Sequence, residues 1–217
     1  MLKYDAVIFD LDGTLLNTLD DLHAAVCHAL RQNGLPERTL PETRKFVGNG
    51  IRLLIERAVP CGTDTPRTDA VFESFKKYYS EHCEDHTRPY DGITWLLTKL
   101  KEDGVKCAVV SNKADPAVRE LSKHYFGDLI AVAIGERAGT PKKPAPDSVF
   151  DAVNALGAAH PVYVGDSEVD VATAKNAKIP ASLVDWGFRS REELLAAGAE
   201  EISRTPAELY EKLCEKT

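Results

Sequence analysis

The feature that most constrains this chain is a junction near its start. Tyr4 to Phe9 is a short, mostly apolar run that reads as a buried strand of a parallel sheet. It stops at Asp10-Leu11-Asp12-Gly13-Thr14, where two carboxylates are separated by one residue. Acids leaving the end of a buried strand side by side repel one another unless a cation or a shared proton intervenes. Asp and Gly are also ordinary turn residues, so the rest of the chain has to decide between chemistry and a plain acidic turn.

Past Leu15 the pattern changes. From Thr18 to about Arg31 apolar residues recur at helical spacing, closed by Gly34 and Pro36. Pro41 to Phe46 and Ile51 to Val59 read as short helices joined by Val47-Gly48-Asn49-Gly50, and Thr68 to His82 as a longer one. Residues 16–86 therefore read as a helical insert with no convincing strand. From Arg88 strands and helices alternate. Helices are expected at Ile93–Leu100, Asp115–Lys123, from Pro146 to Leu156, up to Ala177, at Arg191–Ala197 and at Pro206–Cys214. Strands are expected at Val105–Val110, Leu129–Ile134, Val162–Val164 and Ala181–Val184. This is the pattern of an α/β fold, a Rossmann-like parallel sheet core formed by 1–15 and 87–217, interrupted after its first strand by the helical domain 16–86.

Composition narrows the class. A chain of 217 residues with 43% hydrophobic residues can bury a full core. Net charge is −7 and Lys and Arg are dispersed, so there is no electrostatic footprint for nucleic acid or for an anionic membrane. No apolar run approaches the roughly 20 residues of a membrane span. The opening residues lack the pattern of a signal peptide. Five widely spaced cysteines (Cys27, Cys61, Cys83, Cys107, Cys214) with no CxxC suit reduced thiols, and the expected compartment is the cytoplasm. Oligomeric state is not legible.

Ligands of open parallel sheets bind beyond the carboxyl ends of the strands. There the chain places Asp10 and Asp12, then Ser111-Asn112, then Gly165-Asp166, with Lys142 and Lys143 in a loop at the same edge. Carboxylates, a hydroxyl, an amide and an ammonium converging on one rim suit a phosphate site with a hard divalent cation.

These residues resemble the haloacid dehalogenase superfamily, whose four motifs occur in order: Asp10-Leu11-Asp12-Gly13-Thr14, Ser111 after Val109-Val110, Lys143 in Lys143-Pro144-Ala145-Pro146, and Gly165-Asp166-Ser167-Glu168-Val169-Asp170. The resemblance covers the chain end to end, with 16–86 as a cap of the superfamily's C1 type. Phe46-Val47-Gly48-Asn49-Gly50, the Lys143 loop and Asp185-Trp186-Gly187-Phe188-Arg189 are similar to the phosphoglycolate phosphatase branch.

The resemblance implies a phosphatase acting on a small phosphorylated substrate. Asp10 would attack phosphorus as nucleophile, and Asp12 would protonate the leaving alkoxide and then take a proton from water. Mg²⁺ would be held by Asp10, Asp166 and the backbone carbonyl of Asp12, with Asp170 as metal support. Ser111 and Lys143 would clamp the phosphoryl oxygens, with Lys142 the alternative to Lys143. Asn112 serves either phosphate or a turn, and Thr14 is expected to steady its loop. In the cap, Gly48, Asn49 and Gly50 would meet substrate, with Arg44, Lys45 and Arg52 as candidates for a substrate carboxylate.

Two departures stand out. Relatives generally carry Asp where this chain has Asn17, and Gly where it has Lys178, a position that would strain Lys if the helix ends left-handed. His82-Cys83-Glu84-Asp85-His86 reads as solvated surface rather than a metal site, and Trp186-Gly187 as packing for the last strand. A haloacid dehalogenase would lack the second acid of the first motif. A phosphatase for pyrophosphate, a sugar phosphate or a nucleotide shares the same core residues, and a silent binding protein predicts a missing site residue where none is missing.

Overall fold

In the computed structural model, which describes residues 3–214, the chain forms two compact units. One is the N-terminal stretch through Leu16 together with the chain from Pro89 onward; the other is Asn17–Arg88. The first is built on β1 (Ala6–Phe9), all four residues of which are buried. Successive side chains of a strand point to opposite faces. Val7 and Phe9 accordingly enter one hydrophobic core, and Ala6 and Ile8 another on the opposite face. A strand covered on both sides has no polar face, which is why Ala6–Phe9 reads as a continuous apolar run.

After β1 come β2 (Leu16–Asn17), α1 (Leu19–Gln32), α2 (Leu40–Phe46), α3 (Ile51–Ala58), α4 (Thr65–His82) and β3 (Arg88–Pro89). The alternating part begins with α5 (Ile93–Glu102), β4 (Lys106–Ala114), α6 (Asp115–Phe126), β5 (Val132–Glu136), α7 (Asp147–Leu156) and β6 (Pro161–Gly165). The chain closes with α8 (Glu168–Ala177), β7 (Ala181–Val184), α9 (Arg191–Ala196), β8 (Ile202–Ser203) and α10 (Pro206–Cys214). The six-stranded sheet has the order β5-β4-β1-β6-β7-β8, and each described pairing in it is parallel. Leu96, Leu97 and Leu100 of α5, Val118 and Leu121 of α6 and Leu209 of α10 cover one face. Val149 and Ala152 of α7 and Ala174 of α8 cover the other. Burying a leucine or valine side chain stabilises by roughly 1.5–3 kcal/mol.

Two strand expectations need correction. Ser111-Asn112-Lys113 do not simply come after a strand, because β4 runs on to Ala114 with its register to β5 shifting between Val110 and Ala114. β5 starts at Val132 rather than Leu129, since Gly127–Leu129 forms a 3-10 turn first. The two-residue strands β2, β3 and β8 are too short for any periodicity to announce them.

In Asn17–Arg88, α1 buries Leu22, Ala25, Val26, Ala29 and Leu30, and α4 buries Val71, Phe75 and Tyr79. Thr39 and Glu42 close a capping box at the start of α2, and the Asp64 side chain accepts from Arg67 N–H at the start of α4. Asp21, 1% exposed, accepts from the backbone N–H groups of His86 and Thr87 and from the Thr87 hydroxyl, tying α1 to the returning chain. No helix among the described residues is long and apolar enough to cross a membrane.

Candidate active site

Strand order reverses at β1: the chain adds β4 and β5 on one side, then crosses back to add β6, β7 and β8 on the other. Such a switch point opens a crevice at the carboxyl ends of the strands. Phe9 pairs with Val109 on β4 and with Val164 on β6. Asp10 and Asp166 therefore follow the ends of two adjacent strands, and the Ser111–Lys113 segment lies in the last part of a third, at nearly one level. That register assembles the site.

Asp10 Oδ1 accepts from the Leu11 N–H at 2.7 Å and meets Lys143 Nζ at 2.9 Å, and Oδ2 has no hydrogen-bond partner among the described residues. Lys143 is 4% exposed, whereas Lys142 faces solvent, so Lys143 is the lysine of the pair that enters the site. Its ammonium also donates to Asp170 Oδ1 and to the Tyr163 hydroxyl, each at 2.9 Å. The loop that carries it is pinned by two amides: Asn112 Nδ2 donates to Lys143 O and Asn176 Nδ2 to Pro144 O. The Asn112 amide thus holds the lysine loop.

Asp170 accepts on both oxygens. Tyr163 joins Lys143 on Oδ1, and the Ser167 hydroxyl and the N–H groups of Asp166 and Ser167 converge on Oδ2. Part of this is the capping box of α8. A carboxylate so fully engaged is suited to orient its neighbours. Asp166 accepts one bond per oxygen, from the Thr14 hydroxyl at 2.9 Å and the Phe188 N–H at 2.7 Å, leaving further lone pairs. The approach is close enough that a Cβ added at Gly13, where φ is +88°, would stand 2.3 Å from Asp166 Oδ2.

Asp12 points elsewhere. Its Oδ1 lies 3.3 Å from Lys113 Nζ, on a side chain only 5% exposed. Nothing in the local sequence marks this lysine as part of the site. Ser111 is buried, and its Oγ accepts from the Lys113 N–H at 3.3 Å. Tyr163 is equally unmarked, because in β6 it reads as one more core residue. Trp186 packs against the core as expected and also donates its indole N–H to Thr14 O at 3.0 Å.

In the other unit, Gly48, Asn49 and Gly50 join α2 to α3. Arg44 and Lys45 are exposed. Arg52 is engaged by Glu56 at 2.7 Å and Asp69 at 2.6 Å, so its guanidinium is already paired. In the His82–His86 stretch, His82 pairs with Asp85 and His86 with Asp21, and no group of ligand atoms suited to a metal forms there among the described residues.

Asp10, Asp166 and Asp170 each present a carboxylate oxygen, and these three atoms lie within 4.8 Å of one another. Burial pushes the Asp10 carboxyl up to about 7; Lys143 opposes the shift while Asp170 and Asp12 add to it. Burial, then the charges of Asp170 and Asp10, also hold Asp166 well above the usual carboxylate range. A single ammonium among these acids leaves an excess of negative charge that a divalent cation would relieve. The donors are all oxygen, which suits a hard ion.

Residues 7–184 match the haloacid dehalogenase-like hydrolase family. A phosphoglycolate phosphatase of Cereibacter sphaeroides is 36% identical over 187 residues, covering 84% of this chain and 86% of that protein. The N-acetylmuramic acid 6-phosphate phosphatase of Pseudomonas aeruginosa is 31% identical over 220 residues, covering 98% and 96%. A crystal structure described as a candidate phosphoglycolate phosphatase from Lactobacillus delbrueckii superimposes with a TM-score of 0.94 at 35% identity, covering both chains fully.

Proposed function

Because the chain belongs to the haloacid dehalogenase-like hydrolases, on their phosphoglycolate phosphatase-like branch, and is a phosphoric monoester hydrolase, we propose that it hydrolyses 2-phosphoglycolate through an aspartyl-phosphate on Asp10. The observation that carries this reading is the state of Asp10. One of its oxygens is anchored by an amide and an ammonium while the other, at the exit of the central strand, has no hydrogen-bond partner among the described residues.

In the first step Asp10 Oδ2 bonds to phosphorus, the bond to the leaving oxygen breaks, and Asp12 gives its proton to that alkoxide. In the second, Asp12 takes a proton from water as the water attacks phosphorus, and the Asp10 carboxylate is released with inorganic phosphate. Asp12 suits this work because its carboxylate stands apart from the cluster of Asp10, Asp166 and Asp170. Ser111 and Lys143 bind phosphoryl oxygens, and Lys143 offsets charge as it grows in the transition state.

Asp10, Asp166 and the Asp12 carbonyl would hold Mg²⁺, with Asp170 and its hydrogen bonds keeping Asp166 and Lys143 in place. When bound, the ion neutralises phosphoryl charge. The helical unit Asn17–Arg88 is the cap that selects the substrate, with Gly48, Asn49 and Gly50 as its contact loop.

A second reading, a sugar-phosphate phosphatase, is favoured by the full-length similarity to the N-acetylmuramic acid 6-phosphate enzyme. Assay of 2-phosphoglycolate, N-acetylmuramic acid 6-phosphate, pyrophosphate and a nucleoside monophosphate, with and without Mg²⁺, tests both. The proposal expects Mg²⁺-dependent turnover with the highest kcat/KM for 2-phosphoglycolate, abolished in Asp10→Asn and nearly so in Asp12→Asn. A higher kcat/KM for the sugar phosphate would move the assignment to the second reading. Wild-type-like activity in either variant would refute the roles.

A further inference from the structure

The segment Asp185–Arg189 does more than close the last strand of the core. Its Phe188 N–H supplies the bond to Asp166 Oδ2 at 2.7 Å. Its Trp186 indole binds the carbonyl of Thr14, whose hydroxyl in turn supplies the bond to Asp166 Oδ1 at 2.9 Å. Between them, Gly187 runs so close that an added Cβ would lie 2.3 Å from Gly13 O and 2.4 Å from Asp166 Cβ. Both oxygens of Asp166 are thus set by this segment, one directly and one through Thr14.

The segment is itself fastened. Arg189, only 7% exposed, makes a two-pronged pair with Glu168: Nε to Oε2 at 2.7 Å and Nη2 to Oε1 at 3.1 Å. Glu168 opens α8 two residues after Asp166, so the clasp joins the segment back to the helix that the aspartate leads into. A bidentate guanidinium–carboxylate pair fixes direction as well as distance. Nothing in the phosphoryl-transfer chemistry of Asp10 and Asp12 uses Arg189 or Glu168.

We propose that Arg189 and Glu168 are positioning residues for the metal site: they lock the 185–189 segment over Asp166 and thereby set the affinity for the divalent cation. This rests on the reading that Asp166 is a metal ligand. A carboxylate held by two donors presents its remaining lone pairs in one direction. Released from the Phe188 N–H, it samples several, and partners of a ligand commonly govern metal affinity by 10–100-fold. Neither residue meets substrate in this scheme, so loss of the clasp raises the Mg²⁺ requirement and leaves the rate at saturating Mg²⁺ nearly intact.

The test is Mg²⁺ binding by calorimetry to metal-stripped wild type, Arg189→Met, Arg189→Lys, Glu168→Gln and the double variant, beside steady-state rates across a Mg²⁺ series. The expected result is a Kd for Mg²⁺ about 10-fold or more weaker in Arg189→Met. Arg189→Lys should recover it in part, and the double variant should be no weaker than Arg189→Met alone. The kcat at saturating Mg²⁺ should stay within about threefold of wild type. A Kd unchanged in folded Arg189→Met, or in Glu168→Gln should the former not fold, overturns the proposal. So does a fall in kcat that excess Mg²⁺ does not restore. Wild type that turns over its substrate without binding Mg²⁺ would instead remove the metal assignment on which both readings stand.

Discussion

Lys113 Nζ lies 3.3 Å from Asp12 Oδ1, while Asp10 is met by a different ammonium, that of Lys143 at 2.9 Å. The two acids of the first motif are therefore separated by their counterions as well as by direction. A lysine this buried is rare without a partner. Paired with it, Asp12 is not one of the three acids that cluster at Asp10, Asp166 and Asp170.

Lys113→Met should consequently impair steps that need a well-aimed acid. The expected loss in kcat/KM is about 10–100-fold for alkyl phosphates, whose leaving oxygen must be protonated. For 4-nitrophenyl phosphate, whose leaving group departs unprotonated, it should be within about threefold. Equal losses on both esters would show that Lys113 acts on the phosphoryl group instead.

Lys143→Ala should cost more than its neighbour. Removing its ammonium leaves Asp10 and Asp170 facing one another, and stabilising donors of this kind are worth roughly 10²–10³ in kcat. Lys142→Ala, a change at an exposed position, should stay within about threefold of wild type. Steady-state kinetics on the two variants decides the order.

The pH dependence of stability should change on metal binding. In the metal-stripped protein the Asp10 carboxyl is pushed up to about 7 from its ordinary 3.8, and Asp166 is raised as well. The folded state thus holds protons that the unfolded state has released over this window, so stability falls as pH rises from about 4 to 7. With Mg²⁺ bound, the carboxylates are held ionised and that fall should disappear. Urea denaturation at pH 5 and pH 8, with and without Mg²⁺, measures it; a metal-stripped protein more stable at pH 8 would contradict the sign.

Lys178 ends α8 in the left-handed region, with φ 56° and ψ 39°, the one non-glycine residue at positive φ among the described residues. The strain anticipated from the sequence is therefore present, and Lys178→Gly should stabilise the fold by about 1 kcal/mol. In a chain of this length that corresponds to a rise of about 2–4 °C in Tm. A lower Tm would mean the lysine side chain contributes packing that outweighs the backbone.

Much of the architecture is legible in the sequence because it is periodic. The apolar spacing of α1, α5 and α10 and the buried run of β1 reflect which faces must leave water, and that is written locally. The acids of the first and fourth motifs are legible for a related reason: charged residues directly after a buried strand have few structural uses. Ser111–Lys113 are harder, since the shifted register between β4 and β5 depends on a strand more than twenty residues away. Tyr163 cannot be told from its apolar neighbours, because its hydroxyl gains a purpose only from Lys143 and Asp170.

By itself, the order of residues determined the alternation of strands and helices, the helical insertion after β1, and which strand ends carry acids. Only the tertiary structure decided which charge meets which: Lys143 with Asp10, Lys113 with Asp12 and Arg189 with Glu168. The physical reason is that Coulomb attraction and desolvation depend on distance and burial. For Lys113 and Asp12 they follow from the parallel pairing of β4 with β1, and for Lys143 and Asp10 from the loop that Asn112 and Asn176 hold, so that side chains more than a hundred residues apart meet.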